Sequence, residues 1–230
     1  MPFQDEKNLS ALIAGVDEAG RGCVIGPLVI AGVLMKEKAL PLLSQLGVKD
    51  SKLLSPKKRA TLSKEIARLA EKHVIVKLLP KEIDPAVESN RKLHKLNRLE
   101  AQTMAQIINA LKPDEVYVDA ADVLEDRFKH HIQEELVIKT KIISRHKADK
   151  IYPVVSAASI IAKVERDREI SVLKSTYGDF GSGYLTDPKT MHFLKEWLRT
   201  HAEYPECVRR SWKPAKQAKN EKGTLQKKLI

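Results

Sequence analysis

The sequence predicts an α/β fold, a central mixed β-sheet flanked by helices with a small helical part near the C-terminal end. Strand-length apolar runs alternate with stretches of helical periodicity. The early strands fit an antiparallel meander, and the later ones follow helical crossovers, as parallel pairing requires. The 230 residues are 43% hydrophobic and 31% charged, enough to bury a core in one domain with a small appendage.

Leu12-Ile-Ala-Gly-Val16 is an apolar run that predicts a buried strand ending at Asp17. Val24 to Met35, rich in Val, Ile and Leu, predicts a second strand, and Gly20, Gly22, Gly26 and Pro27 punctuate the link. Ser55-Pro56 followed by 57–72 predicts a helix, with Ser55 as N-cap and Pro56 in the first helical position. His73 to Leu79 alternates as a third strand. Pro85 to Leu111 is the longest helical segment by pattern, and Pro113-Asp114 ends it. Glu115-Val-Tyr-Val-Asp119 is a compact strand terminating at an acid. Val123 to Leu136 reads as a helix, Val137 to Ser144 as a strand, and Ala157 to Leu173 and Pro188 to His201 as helices. These elements divide the chain into a domain over 1–200, a C-terminal helical part over 201–215 packed on it, and a basic flexible tail over 216–230.

No apolar run approaches the ~18 residues of a membrane span. Cys23 to Met35 is interrupted by Gly26, Pro27 and Gly32. The polar N-terminus does not read as a targeting peptide. Two cysteines make neither a disulfide framework nor a zinc cluster, and a cytoplasmic location is the default expectation. With 41 Lys and Arg against 30 Asp and Glu, the net charge is +11, which favours a polyanionic partner. From Arg209 to Ile230 there are eight basic residues and one acid, a solvated tail or a phosphate-binding arm.

Asp17-Glu18, Asp119 and Asp149 carry the candidate chemistry. Asp17 and Asp119 each end an apolar strand, where active sites of α/β sheets lie. Successive residues of a regular strand point to opposite faces, so Asp17 and Glu18 share a site only if the chain bends there. Clustered carboxylates repel and call for a cation. Oxygen donors alone suit Mg²⁺ or Mn²⁺ rather than zinc. Each acid taken singly is more readily an ordinary strand-end or capping group; together, their contexts weigh against that. Ser156, Ser159, Lys163 and Arg166 recur at helical spacing as one polar stripe. For Lys163, a solvated face and a phosphate contact are equally open.

These segments resemble the ribonuclease HII family of type 2 ribonucleases H, in its archaeal-like form. The resemblance rests on Gly15-Val-Asp17-Glu18-Ala-Gly20-Arg21-Gly22, Lys49-Asp50-Ser51-Lys52, Tyr117-Val118-Asp119, Lys147-Ala148-Asp149 with Val154 to Val164, and Gly181-Ser182-Gly183-Tyr184. Arg210-Ser211-Trp212-Lys213 is similar to a motif near the end of archaeal-like members. The resemblance implies a ribonuclease H-like fold and an endonuclease that hydrolyses the RNA strand of RNA/DNA hybrids. It also implies cutting 5′ of ribonucleotides embedded in duplex DNA, with two metal ions, leaving 3′-hydroxyl and 5′-phosphate ends. It implies metal ligation by Asp17, Glu18, Asp119 and Asp149, and reading of the ribose 2′-hydroxyl by Gly20, Arg21 and Gly22. Tyr184 matches the aromatic that stacks beside the ribonucleotide, and Lys52, Ser156 and Lys163 are further substrate-contact candidates. Cys23 and Leu185 stand where relatives often carry proline, which bears on loop shape. Gln226-Lys-Lys-Leu229-Ile230 is faintly similar to the start of a sliding-clamp-binding peptide, without its aromatic pair. A monomer is the expectation.

Three rival readings are weaker. A catalytically dead hybrid-binding module would not need all four acids. A DNA resolvase of the same fold would lack the ribose-sensing turn and Tyr184. Ribonuclease HIII would need an N-terminal domain for which no room precedes Asp17.

Overall fold

A computed structural model describes residues 10–48, 54–89 and 95–227, with side chains described as far as Asn220. Among these residues, β1 (Leu12–Ala19), β2 (Leu28–Lys36), β3 (Lys72–Leu78), β4 (Glu115–Asp119) and β5 (Lys141–Arg145) form one sheet of order β3-β2-β1-β4-β5. β1, β2 and β3 run antiparallel as a meander, and β1, β4 and β5 are parallel.

Both faces of the sheet are covered, so its central strands are apolar on both sides. In β2, Val29, Ala31, Val33 and Met35 face a cluster built with α7 (Pro153–Tyr177), α1 (Leu40–Gln45) and α2 (Pro56–Leu69). Leu28, Ile30 and Leu34 face the opposite cluster, built with α4 (Lys95–Leu111) and α5 (Glu125–Gln133). A third cluster joins Val24, Ile25 and Ile170 to Phe180, to α8 (Pro188–Thr200) and to α9 (Lys213–Lys227). It fastens the C-terminal part to the loop after β1.

α7 crosses β1 closely because Gly15 has no side chain. A Cβ there would lie 2.4 Å from the Val154 carbonyl carbon and oxygen. At the start of α2, the Ser55 hydroxyl accepts the Lys58 amide and Pro56 opens the helix, as the sequence predicts.

Several boundaries differ from expectation. The segment read as one helix over 85–111 is α3 (Pro80–Glu88) followed by α4. Ser89, extended at φ −54° and ψ 157°, ends α3. The longest helix is instead α7, 25 residues. Its first turns are buried on nearly all sides, which erases the amphipathic pattern that marks a helix in sequence. The helix expected over 123–136 shrinks to α5, and the strand expected over 137–144 is β5, shifted to Lys141–Arg145. The C-terminal end differs most. Turns occupy 205–212, and α9 starts where the expected helical part was to end and runs through the expected tail. Ala215 and Ala218 bury its inner face. Lys52 lies outside the described residues.

Gly15→Ala should destabilise the protein by about 1–3 kcal/mol, the usual cost of overpacking a tight contact. Urea unfolding checks this: the midpoint should drop while the slope stays constant.

Candidate active site

The parallel register pairs Val16 with Val118, so Asp17 and Asp119 are the next residues along two adjacent strands. β1 runs on to Ala19 beside β2, but its pairing with β4 stops at Val16. One edge of the strand is therefore open at Asp17 and Glu18. Asp17 points to the α7 side, where the Ser159 hydroxyl bonds to it and Lys163 lies close. Glu18 points to the α4 side, toward Glu100 and Arg21. No bend is needed, contrary to the sequence-based expectation, because the cleft wraps the open end of the sheet and takes carboxylates from both faces.

Asp149 belongs to a one-turn helix, α6 (Ala148–Ile151), directly after β5. The Ala148 amide donates to Asp119 Oδ1 at 3.0 Å, tying that turn to the end of β4. Lys147 adopts a left-handed conformation, φ 56°, to make the reversal. Asp17, Glu18, Asp119 and Asp149 thus line one cleft of about 460 Å³, together with Gly20, Arg21, Gly22, Arg59, Lys163, Arg166, Asp167 and Tyr184. A larger groove of about 800 Å³ lies between α3 and the C-terminal part. Three of its acids are spent: Asp84 accepts Ser211, Glu88 pairs with Lys216, and Glu169 pairs with Lys77. The acids singled out in the sequence line the smaller cleft.

Burial raises the Asp17 carboxyl to about 7, the neighbouring Asp119 charge adds to this, and Ser159 and Lys163 oppose it. Glu18 is pushed well above its ordinary value by burial and by Asp17, Glu100 and Asp119. Its buried Oε2 has no hydrogen-bond partner among the described residues. Crowded, desolvated carboxylates of this kind are what a divalent cation relieves, and an all-oxygen donor set suits Mg²⁺ or Mn²⁺. Among the described residues, no three His, Cys, Asp or Glu side chains already stand as a cage. Asp17 Oδ1 and Asp119 Oδ1 accept the Glu18 and Ala148 amides.

The glycine turn is held from two sides. Arg21 Nε donates to both oxygens of the buried Glu100, at 2.9 and 3.1 Å, and Nη2 donates to Asn97. Asn97 continues to Asp122, which Arg127 also binds. Tyr184 sits 37% exposed at the cleft with the Arg166 guanidinium 4.7 Å from its ring centre. Arg166 also donates to the Ser182 carbonyl at 2.7 Å and to Cys23 Sγ.

One substrate-contact candidate is not in the cleft. Ser156 is buried and donates to the Val48 carbonyl, where the chain enters the Lys49–Lys52 block. It holds the Val48 carbonyl and is not among the residues lining the cleft, nearly two turns from Lys163 along α7. Lys163 does face the cleft, which favours the functional over the solvated reading. Glu100, Asn97, Arg59 and Asp167 escaped the sequence reading. Only the acid at a buried position of α4 left a signal there, since a Glu on an apolar helix face needs a partner.

An α/β sheet of this order, ending in a carboxylate-lined cleft beside a glycine turn, defines a nuclease of the ribonuclease H-like class. A family model described as ribonuclease HII matches residues 14–215. The chain is 48% identical over 218 residues to the ribonuclease HII of Thermococcus onnurineus, covering 94% of this chain and 93% of that protein. The crystal structure of ribonuclease H2 from Pyrococcus horikoshii superposes with a TM-score of 0.84 at 44% identity, covering 91% and 98% of the two chains. The ribonuclease HII of Archaeoglobus fulgidus, solved in complex with PCNA, superposes at 0.80 with 44% identity, covering 88% and 95%. The chain belongs to the ribonuclease HII family, endoribonucleases that cleave RNA in RNA/DNA hybrids and at ribonucleotides embedded in DNA. No helix among the described residues is long and apolar enough to cross a membrane.

Asp17→Asn should raise thermal stability while removing activity. A carboxyl whose folded value is raised loses stability as pH climbs from its unfolded value, near 4, through about 7. In EDTA at about pH 8 the variant should therefore melt above wild type, by about 2–4 °C for each kcal/mol relieved, and the gap should close near pH 4. A lower midpoint at the alkaline end would contradict the assignment of strain to Asp17.

Proposed function

We propose that Asp17, Glu18, Asp119 and Asp149 are the metal ligands and catalytic centre of this ribonuclease, and that Gly20–Gly22 and Tyr184 read the ribonucleotide. The observation that carries this is the convergence of four carboxylates from β1, β4 and α6 on one cleft that also holds the glycine turn and the aromatic ring. Two divalent ions, Mg²⁺ or Mn²⁺, held by these acids, supply activation of a water and stabilisation of the leaving oxygen. The residues do the rest. Lys163 and Arg59 put positive charge at the rim, where a phosphodiester passes. Ser159 and Lys163 hold Asp17 in position. The glycine turn gives backbone groups close approach to the 2′-hydroxyl that separates RNA from DNA. Tyr184, backed by Arg166, offers a stacking surface for the adjoining sugar. Hydrolysis at this centre leaves 3′-hydroxyl and 5′-phosphate ends. The substrates are RNA/DNA hybrids and duplex DNA containing ribonucleotides.

The basic C-terminal stretch is a weaker nucleic-acid contact than its composition implies. Lys216 pairs with Glu88 at 2.7 Å and Lys219 with Glu203 at 2.6 Å. A phosphate-contacting role therefore passes to Lys213 and to Lys222, Lys227 and Lys228, whose side chains are outside those described. The PCNA complex of the Archaeoglobus relative favours a sliding-clamp partner here too; Gln226–Ile230 is the segment whose sequence suggests the contact. We place the enzyme in the cytoplasm as a monomer; Cys23 and Cys207 are free and buried.

The deciding experiment is cleavage of duplex DNA carrying one ribonucleotide, with Mg²⁺, with Mn²⁺ and in EDTA. Cutting should require the cation, and Asp119→Asn should lower kcat by at least about a hundredfold while the circular dichroism spectrum is unchanged. Undiminished turnover by that variant would remove Asp119 from the centre.

Tyr184→Ala should cost about 1–3 kcal/mol of transition-state stabilisation at a single embedded ribonucleotide, roughly a fivefold to hundredfold fall in kcat/KM and the order of one aromatic stacking contact, and less on a long hybrid. An unchanged ratio between the two substrates would show that the ring does not sense the junction.

A further inference from the structure

The largest fully buried side chain of the described protein is a cation, Arg209. A guanidinium withdrawn from water is costly unless its donors are met, and here they are met by main chain. Nε donates to the Gly26 carbonyl at 3.1 Å, Nη1 to the Arg21 carbonyl at 2.9 Å, and Nη2 to the Gly20 carbonyl at 2.7 Å. Trp212 covers the guanidinium, 5.0 Å from its ring centre. The backbone around Arg209 is stitched to the same loop. Its amide donates to the Val24 carbonyl at 2.8 Å, the Gly26 amide donates to the Cys207 carbonyl at 2.8 Å, and Val208 bridges Ile25. The Glu100 and Asp84 charges act on this guanidinium, but all three of its hydrogen bonds described here go to main-chain carbonyls of the turn and the loop that follows it.

The geometry points to Arg209 as the positioning residue that aims the ribose-reading turn, an inference that rests on the proposed role of Gly20–Gly22. The reason is peptide geometry. In a trans peptide the carbonyl of one residue and the amide of the next point in opposite directions, and no described peptide here is cis. Drawing the Gly20 and Arg21 carbonyls inward onto one guanidinium turns the Arg21 and Gly22 amides outward. Residues 20–22 line the cleft, so these two donors face the place where a 2′-hydroxyl must be recognised. The Arg21 side chain cannot substitute for them, since Glu100 and Asn97 hold it. A lysine at 209 could not do the same, because a single ammonium cannot span three carbonyls in a planar fork.

The test compares ribose preference with folding on the full chain in Mg²⁺. Preference is the inhibition constant of an all-deoxy duplex, used as competitor, divided by the KM for the same duplex with one ribonucleotide. Arg209→Met should lower this ratio by about tenfold or more, the worth of one or two misdirected hydrogen bonds, with kcat reduced less. Leu198→Ala, in the hydrophobic cluster that holds the neighbouring Val208 but away from the turn, is the folding control and should keep the ratio at an equal loss of thermal midpoint. A wild-type ratio in Arg209→Met overturns the inference. Should Arg209→Met fail to fold, Arg209→Lys takes its place, with a fallen ratio supporting the assignment and an unchanged one ending it. Gly22→Ala separates this from the underlying reading, because a Cβ at Gly22 meets nothing within 4 Å and should leave folding alone. If Gly22→Ala destroys the preference and the Arg209 variants keep it, only the role of Arg209 falls. If Gly22→Ala also keeps it, the turn does not read ribose and both readings fall.

Discussion

The rest of the site depends on where β1 stops pairing with β4. Through Val16 the two strands are hydrogen-bonded neighbours, and beyond it β1 continues alone beside β2. That short unpaired edge lets Asp17 from one face and Glu18 from the other reach a common space, with Asp119 at the adjoining strand end. It also creates the site's main electrostatic tension. Asp17 and Glu18, removed from water beside one another, are held above their ordinary pKa, and the surrounding chain offers only partial relief, through Ser159, Lys163 and the Glu18 amide at Asp17 and through Arg21 at Glu18. A centre with this excess of negative potential is built for cations, and the fold tolerates it because β1 is locked on both faces.

α7 is the shared rod that turns this local tension into a working arrangement. Its first turn packs against the bare backbone at Gly15 and so sets the height of the helix over β1. One polar stripe then serves different tasks along its length. Ser156 anchors the entry to the Lys49–Lys52 block, Ser159 and Lys163 attend to Asp17, and Arg166 supports Tyr184 from beneath. Farther on, Ile170 and Leu173 belong to the third hydrophobic cluster. A shift of α7 would thus move the surroundings of Asp17 and of Tyr184 together.

The C-terminal part is likewise more than an appendage. Residues 207–209 lie along 24–26 from one side, and the Gly183 carbonyl accepts the Val24 and Ile25 amides from the other. Gly183 must lack a side chain, since a Cβ would fall 2.6 Å from the Ile25 carbonyl oxygen. Two segments distant in sequence therefore fix one loop, which follows directly on the glycine turn. The pairing explains why α9 is packed rather than free, with its lysines drawn toward Glu88 and Glu203.

By itself, the sequence determined the α/β class, the meander, the strand-end acids and the family. Strand-length apolar runs ending in Asp17 and Asp119 are local features, and so are the Gly20–Gly22 turn and the Ser55–Pro56 helix start. What the tertiary structure alone decided depends on partners far away in the chain. The break between α3 and α4, the length of α7 and the helical state of α9 follow from packing that periodicity does not record. That Ser156 turns from the cleft while Lys163 enters it was undecidable from one stripe, since spacing gives a face but not what covers it. Arg209 was the least legible. It looks like an ordinary charged residue until the fold buries it, and a buried charge takes its meaning from the groups that replace water around it.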